Sequence, residues 1–353
     1  MMLLVKKIAI KIAGLLMGVI LLFGGVLAYE IHSYLHSPVA GNQEQLYKII
    51  TIPKGAGFNQ VLQILVDHQL VALPGRFRLL AKYRKAFTQI KAGEFRVQTD
   101  WTPIQMLDHL LEGRSQLHKI TIPEGLTFEQ VVIRLAEANL GKLETFRDLQ
   151  EDLRLRQAVD ISPTVPSLEG FLFPETYFFS KTDSEFDILK TMVKQFNQNY
   201  QQIDRQQAQS FGLSDYEMII LASIIEKETG REKDRTLISA VFHNRLKRRM
   251  RLESDPTVIY GIKNFDGNLT RKHLKTPTLY NTYTNFGLPP GPICNPGKSS
   301  IQSTLFPAEV PYLFFVSKGD GSSYFSSNLK SHNQAVRKYQ KNRKYRLKMQ
   351  QQH

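Results

Sequence analysis

The sequence predicts an α+β protein in three parts: an N-terminal transmembrane helix, a duplicated region of short strands and helices, and a mixed α+β domain built around a central buried helix. Three observations carry this. From Ile8 to Ala28 an apolar run is broken only by Lys11; a twenty-one-residue stretch recurs seventy residues further on; and residues 218–225 are apolar or small on every side of the helix they would form. At 353 residues, 42% of them hydrophobic, the chain has core material for two or three domains and is not a disordered protein.

The first thirty residues read MMLLVKKIAIKIAGLLMGVILLFGGVLAYE. A helix from Ile8 to Ala28 spans roughly 30 Å, the thickness of a bilayer's hydrocarbon core. Lys6, Lys7 and Lys11 flank its front end, so the positive-inside rule keeps residues 1–7 in the cytoplasm and exports the chain beyond the 8–29 anchor, beginning with a 30–46 linker. The alternative is a cleaved signal peptide, with Val26-Leu27-Ala28 as the site, but the apolar run exceeds the usual length of such a segment. The net charge of +14 calls for an acidic partner or surface, and export removes most nucleic-acid readings of it. One cysteine, Cys294, suits an oxidising compartment, and no histidine or cysteine spacing suggests a metal site.

Residues 50–70, ITIPKGAGFNQVLQILVDHQL, and 120–140, ITIPEGLTFEQVVIRLAEANL, agree at ten of twenty-one positions. In each a β-branched strand stops at Pro53 or Pro123 and a glycine turns the chain. Apolar residues then come at helical spacing: Phe58, Val61, Leu62, Leu65 and Phe128, Val131, Val132, Leu135. Between the copies EFRV, 94–97, reads as a strand, and Thr102-Pro103 as an N-cap with proline at the first helical position. The pattern of region 47–160 resembles LysM-like modules that bind wall glycan; a spacer role is the alternative. The second domain, 161–336, begins with SLEGFLFPETYFF, whose aromatics can form a wall for stacking sugar rings or, as such runs more often do, a core. A basic tail, 337–353, ends the chain, with seven cations and no acid.

Within the second domain, Ser214 and Glu217 make a capping box for a helix running to Thr229 and stopping at Gly230. Its end reads LASIIEKETG. Glu226 lies one turn beyond Ala222 at the end of the apolar rod, whereas Glu228 points about 200° away, so only one of them continues the stripe. A carboxyl held against apolar walls stays protonated toward neutral pH, as a general acid for glycosidic cleavage requires. An ordinary helix-end ion pair with Lys227, Arg231 or Lys233 is the competing reading.

LASIIEKET, LEGFLFPETY, LESDPTVIY, YNTY, GLPPGPICNPG and the SHN at 331–333 resemble, in order and spacing, the endolytic murein transglycosylase (YceG-like) family along nearly the whole chain. That resemblance implies a single-pass inner-membrane enzyme, a lyase with periplasmic bulk. It would cut the β-1,4 bond between N-acetylmuramic acid and N-acetylglucosamine within peptidoglycan strands, leaving 1,6-anhydromuramoyl ends. Its catalytic glutamate falls on Glu226, and Glu169, Asp255, Asn281 and Tyr283 fall on other motif positions, with cleft lining or support as their expected role. No cofactor is implied; the partners implied are glycan strands and wall-synthesising enzymes such as penicillin-binding proteins. GPICNPGKS is not a phosphate loop, since Pro292 and Pro296 lack the N–H groups that cradle phosphate. The rival from another class is a membrane-tethered glycan-binding scaffold without catalysis.

Overall fold

A computed structural model describes residues 2–38, 46–158, 161–162, 164–203 and 211–342. The chain divides into two compact units, Met1–His118 with Ser180–Thr182, and Lys119–Phe179 with Asp183–His353. The expected linker falls partly, and the basic tail mostly, outside the described residues.

The first unit contains α1 (Met2–His36), β1 (Tyr47–Ile52), α2 (Phe58–Asp67), α3 (Pro74–Tyr83), β2 (Gly93–Gln98) and α4 (Pro103–Glu112). Residues Gly14–His36 of α1 are long and apolar enough to cross a membrane. β1 pairs antiparallel with β2, from Tyr47 opposite Gln98 to Ile52 opposite Gly93, so EFRV is the strand that closes the first repeat copy. α2 buries Phe58, Val61, Leu62 and Leu65, the four residues its spacing selects. They pack with Phe77, Phe95, Val97 and Leu107 into a core belonging to this unit alone. Thr102 and Gln105 exchange bonds as a complete capping box ahead of α4, with Pro103 at its first position.

The second unit opens with β3 (His118–Thr121), α5 (Phe128–Glu137), α6 (Leu143–Asp148), α7 (Leu153–Ala158), β4 (Thr176–Phe179) and α8 (Glu185–Gln201). It continues with α9 (Asp215–Glu228), α10 (Glu232–Lys247), α11 (Asp255–Tyr260), α12 (Arg271–Lys275) and α13 (Lys298–Leu305). The hairpin β5 (Phe314–Ser317) and β6 (Ser323–Ser326), then α14 (Leu329–Val336), complete it. α5 buries Phe128, Val131, Val132 and Leu135, repeating the first copy. Its strand does not repeat the pairing, however: β3 pairs with β4, from the aromatic segment. The sequence ends the duplicated region near residue 160, but the division into compact units falls between His118 and Lys119. The reason is this exchange of partner, which folds the second copy's helix face into the same core as Leu168, Phe171, Leu172, Tyr177 and Phe179. These aromatics are therefore core rather than an open sugar-stacking wall.

α9 is capped by Ser214 and Glu217 as the sequence predicts, and it buries every residue from Met218 to Ile225. Two cores meet on it. Met218, Ile219 and Ala222 join the larger cluster with α5 and α8, while Ile220, Leu221, Ile224 and Ile225 pack with Ile238, Phe242, Leu252 and Ile293. A helix covered on opposite sides needs apolar residues all round, at about 1.5–3 kcal/mol for each large aliphatic side chain buried.

Candidate active site

The last turn of α9 carries its two carboxylates to opposite faces, Glu226 against the start of α13 and Glu228 into a cleft. Glu226, its side chain 8% exposed, turns toward the start of α13. Its Oε2 accepts bonds from the Gly297 N–H at 3.0 Å and the Ser300 hydroxyl at 2.7 Å, and Oε1 lies 3.9 Å from the Arg235 guanidinium. Glu124 stands on the same side, 3.8 Å from Arg235; burial, then the Glu226 charge, holds its carboxyl above the usual range. Glu226 thus ties α9 to α13 and to the loop before it. That loop is locked elsewhere too: Asn295 accepts from Leu172 N–H and donates to the Leu126 carbonyl, and Ile293 N–H donates to Ser223 Oγ. Cys294 is buried against the Ser223 carbonyl, and burial pushes its thiol up, which leaves it a poor nucleophile.

Glu228 faces the opposite way, into a polar cleft of about 430 Å³ that it lines with Arg245, Glu253, Asp255, Tyr283 and His332. Part of the residue is reached through the cleft mouth, but the carboxyl lies deep enough that burial raises it to about 7, and the Asp255 charge adds to the rise. The Ser254 hydroxyl donates to Glu228 Oε1. Next to it the Tyr283 hydroxyl donates to Asp255 Oδ1 at 2.6 Å; burial, then this bond, keep the phenol protonated far into alkali. Arg245 is spent on structure: its guanidinium donates to the carbonyls of Leu313, Arg251 and Leu252 and to Glu253, fixing the loop that leads into α11. Glu253 holds this loop with a left-handed φ of 50°, a conformation uncommon for a side chain other than glycine. His332 is held below its ordinary value, first by burial and then by the Arg245 charge.

Of the sequence candidates, Asp255 and Tyr283 meet in this cleft. Glu169 and Asn281 support it from behind. Glu169 is 4% exposed and accepts from the Phe128 N–H at 2.9 Å, the first residue of α5, and from the Tyr260 hydroxyl at 3.1 Å. Burial raises its carboxyl to about 7 as well, but inside the core rather than in a cleft. Asn281, fully buried, donates to the carbonyls of His273, Leu274 and Thr276 and accepts from Tyr283 N–H at 2.8 Å, so it fixes the tyrosine that holds Asp255. Sequence reasoning passed over Glu228, Ser254 and Arg245. For Glu228 the signal was present: on a helix apolar all round, a residue 200° from the chosen stripe is still interior.

Similarity to known proteins places the chain in a defined class. The YceG-like family profile matches residues 50–338, and the chain belongs to that family. Among its relatives it is 32% identical to the endolytic murein transglycosylase of Bacillus subtilis over 90% of this chain and 91% of the other. It is 28% identical to the endolytic murein transglycosylase of Streptococcus pneumoniae over 89% of this chain and 62% of that longer protein. A crystal structure of a YceG-like protein from Listeria monocytogenes is similar at a TM-score of 0.57 and 31% identity, covering 82% of this chain and 98% of that one.

Proposed function

We propose that the chain is an endolytic murein transglycosylase anchored in a membrane by α1, with Glu228 taking the role that the sequence pattern assigns to Glu226. The observation that carries this is Glu228 itself: a carboxyl at about 7, at the wall of a 430 Å³ polar cleft, beside a second acid already engaged by Tyr283. Glu226, by contrast, has Oε2 occupied by two donors of the α13 entry and does not line this cleft. The names of the relatives supply the substrate class, murein.

In this reading protonated Glu228 donates to the departing O4 of N-acetylglucosamine as the bond to N-acetylmuramic acid breaks. Positive charge develops on the muramoyl ring, and Asp255, held by Tyr283, is the group that stabilises it. The Glu228 carboxylate then takes the proton from the muramoyl C6 hydroxyl while that oxygen closes on C1. One acid is regenerated, no water is consumed, and a 1,6-anhydro end results. A hydrolase would use a second carboxylate as nucleophile or base and leave a reducing end one water heavier.

The test uses the full chain on purified uncrosslinked glycan, with products weighed by mass spectrometry. Glu228→Gln should lose cleavage and still bind strands, whereas Glu226→Gln should keep cutting. Loss confined to Glu226→Gln would return the acid to that residue. Cleavage unchanged in both would move the acid to another residue, no cleavage by the unsubstituted chain would leave the scaffold reading, and reducing ends alone would make the enzyme a hydrolase.

A further inference from the structure

The groove between α1 and α3 is unrelated to the cleft and lies wholly in the first unit. It encloses about 480 Å³ and is lined by Leu27, Ile31 and Leu35 of α1 and by Leu79, Leu80 and Tyr83 of α3. The three α1 residues are four apart and share one helix face. α3 is held there by the Arg76–Glu30 ion pair at 3.0 Å and by the Tyr34 hydroxyl on the Leu73 carbonyl at 3.4 Å. Two of these lining residues stay bare: Leu79 is 67% and Tyr83 85% exposed. Two large apolar side chains presented side by side next to an apolar groove are a poor surface for water.

Charge and position say what covers it. Between Asp67 and Glu94 the chain carries six cations, Arg76, Arg78, Lys82, Arg84, Lys85 and Lys91, and no carboxylate. Arg76 and Arg84 are paired, with Glu30 and Asp108; among the described residues Lys82 and Lys85 have no acidic partner. The candidate span Gly14–His36 is about 35 Å long at 1.5 Å per residue, and the groove lies along Leu27–Leu35 toward its C-terminal end, where a helix of that length leaves the hydrocarbon. Tyr29 and Tyr34 of α1 lie in that stretch, the level at which tyrosines anchor membrane helices.

We infer that α3 is an interfacial helix that lies on the membrane crossed by α1. Leu79 and Tyr83 enter the headgroup boundary, lipid chains fill the groove, and Lys82 and Lys85 face anionic lipid phosphates. The inference rests on α1 being a membrane anchor. It gives the first unit a fixed posture at the bilayer instead of a free tether.

The experiment reconstitutes the full chain in bilayers carrying a lipid-borne quencher and labels either Leu79→Cys or, as a control on the second unit, Leu279→Cys with an environment-sensitive fluorophore; the native thiol is buried. Loss of emission at position 79 in anionic bilayers, absent at 279 and reduced by Lys82→Glu with Lys85→Glu, is the expected result. No loss at 79 in protein that resists alkaline extraction overturns the interfacial helix while the anchor stands. Release of the protein by alkali overturns both. Equal loss in zwitterionic and anionic bilayers overturns the assignment to anionic headgroups.

Discussion

Glu228 and Glu226 differ by two positions in sequence and by everything in surroundings. One is raised by burial at a cleft; the other is bonded by a backbone N–H, a hydroxyl and a nearby guanidinium. Removing a general acid costs about 10²- to 10⁴-fold, and Glu228→Gln should show that loss in kcat with the fold intact by circular dichroism. Glu226→Gln should instead lower stability by about 1.5–3 kcal/mol in urea unfolding, the range for a hydrogen bond to a charged group. In the proposed mechanism Glu228 must be protonated to act, so cleavage should fall as pH rises through about 7, and this limb should persist in Glu226→Gln. Stability obeys the linked rule. Glu169 and Glu228 have folded values near 7, above the ordinary 4.5, so the stabilisation from their neutral forms is full below about 4.5 and lost as pH rises to about 7. Glu169→Gln should flatten that decline, as measured by denaturant unfolding across the window.

At the scale of elements, α9 is the support on which both faces of the site are built. Its caps, its length and its apolar middle were legible because a capping box and an unbroken apolar stretch are local signals. The fully buried Ile224 packs where α9 meets α10, so Ile224→Ala should cost about 2–5 kcal/mol in denaturant unfolding, the range for truncating a core aliphatic. The two repeat copies make the complementary point. Their helices bury matching residues, but β1 finds β2 and β3 finds β4, and a strand's partner is not written in the strand. The aromatic segment 167–179 was equally ambiguous: alternating rings suit a sugar wall or a core, and the choice fell to the second copy's apolar helix, which needed covering.

For the molecule as a whole, the two units hold separate cores, one gathered from residues 50–110 and the others from 120 onward. Phe95→Ala, in the first core, should therefore speed amide hydrogen exchange in residues 46–118 and leave the second unit's helices protected, as read by exchange mass spectrometry. If protection fell equally in both, the cores would be coupled.

The sequence by itself determined the apolar N-terminal helix, the duplicated strand-and-helix start and the capped buried helix, since each is a pattern within a few turns of chain; the segment of Asp255, whose composition reads as a loop, opens a short helix instead. Only the tertiary structure decided which strand closes each copy, that Glu169 and Asn281 stand behind the cleft, and which of two acids faces it. Burial on a given side of a helix is set by what packs there, and the hydrogen-bond donors to Glu226 and Glu228 come from residues twenty-six to seventy-four positions away.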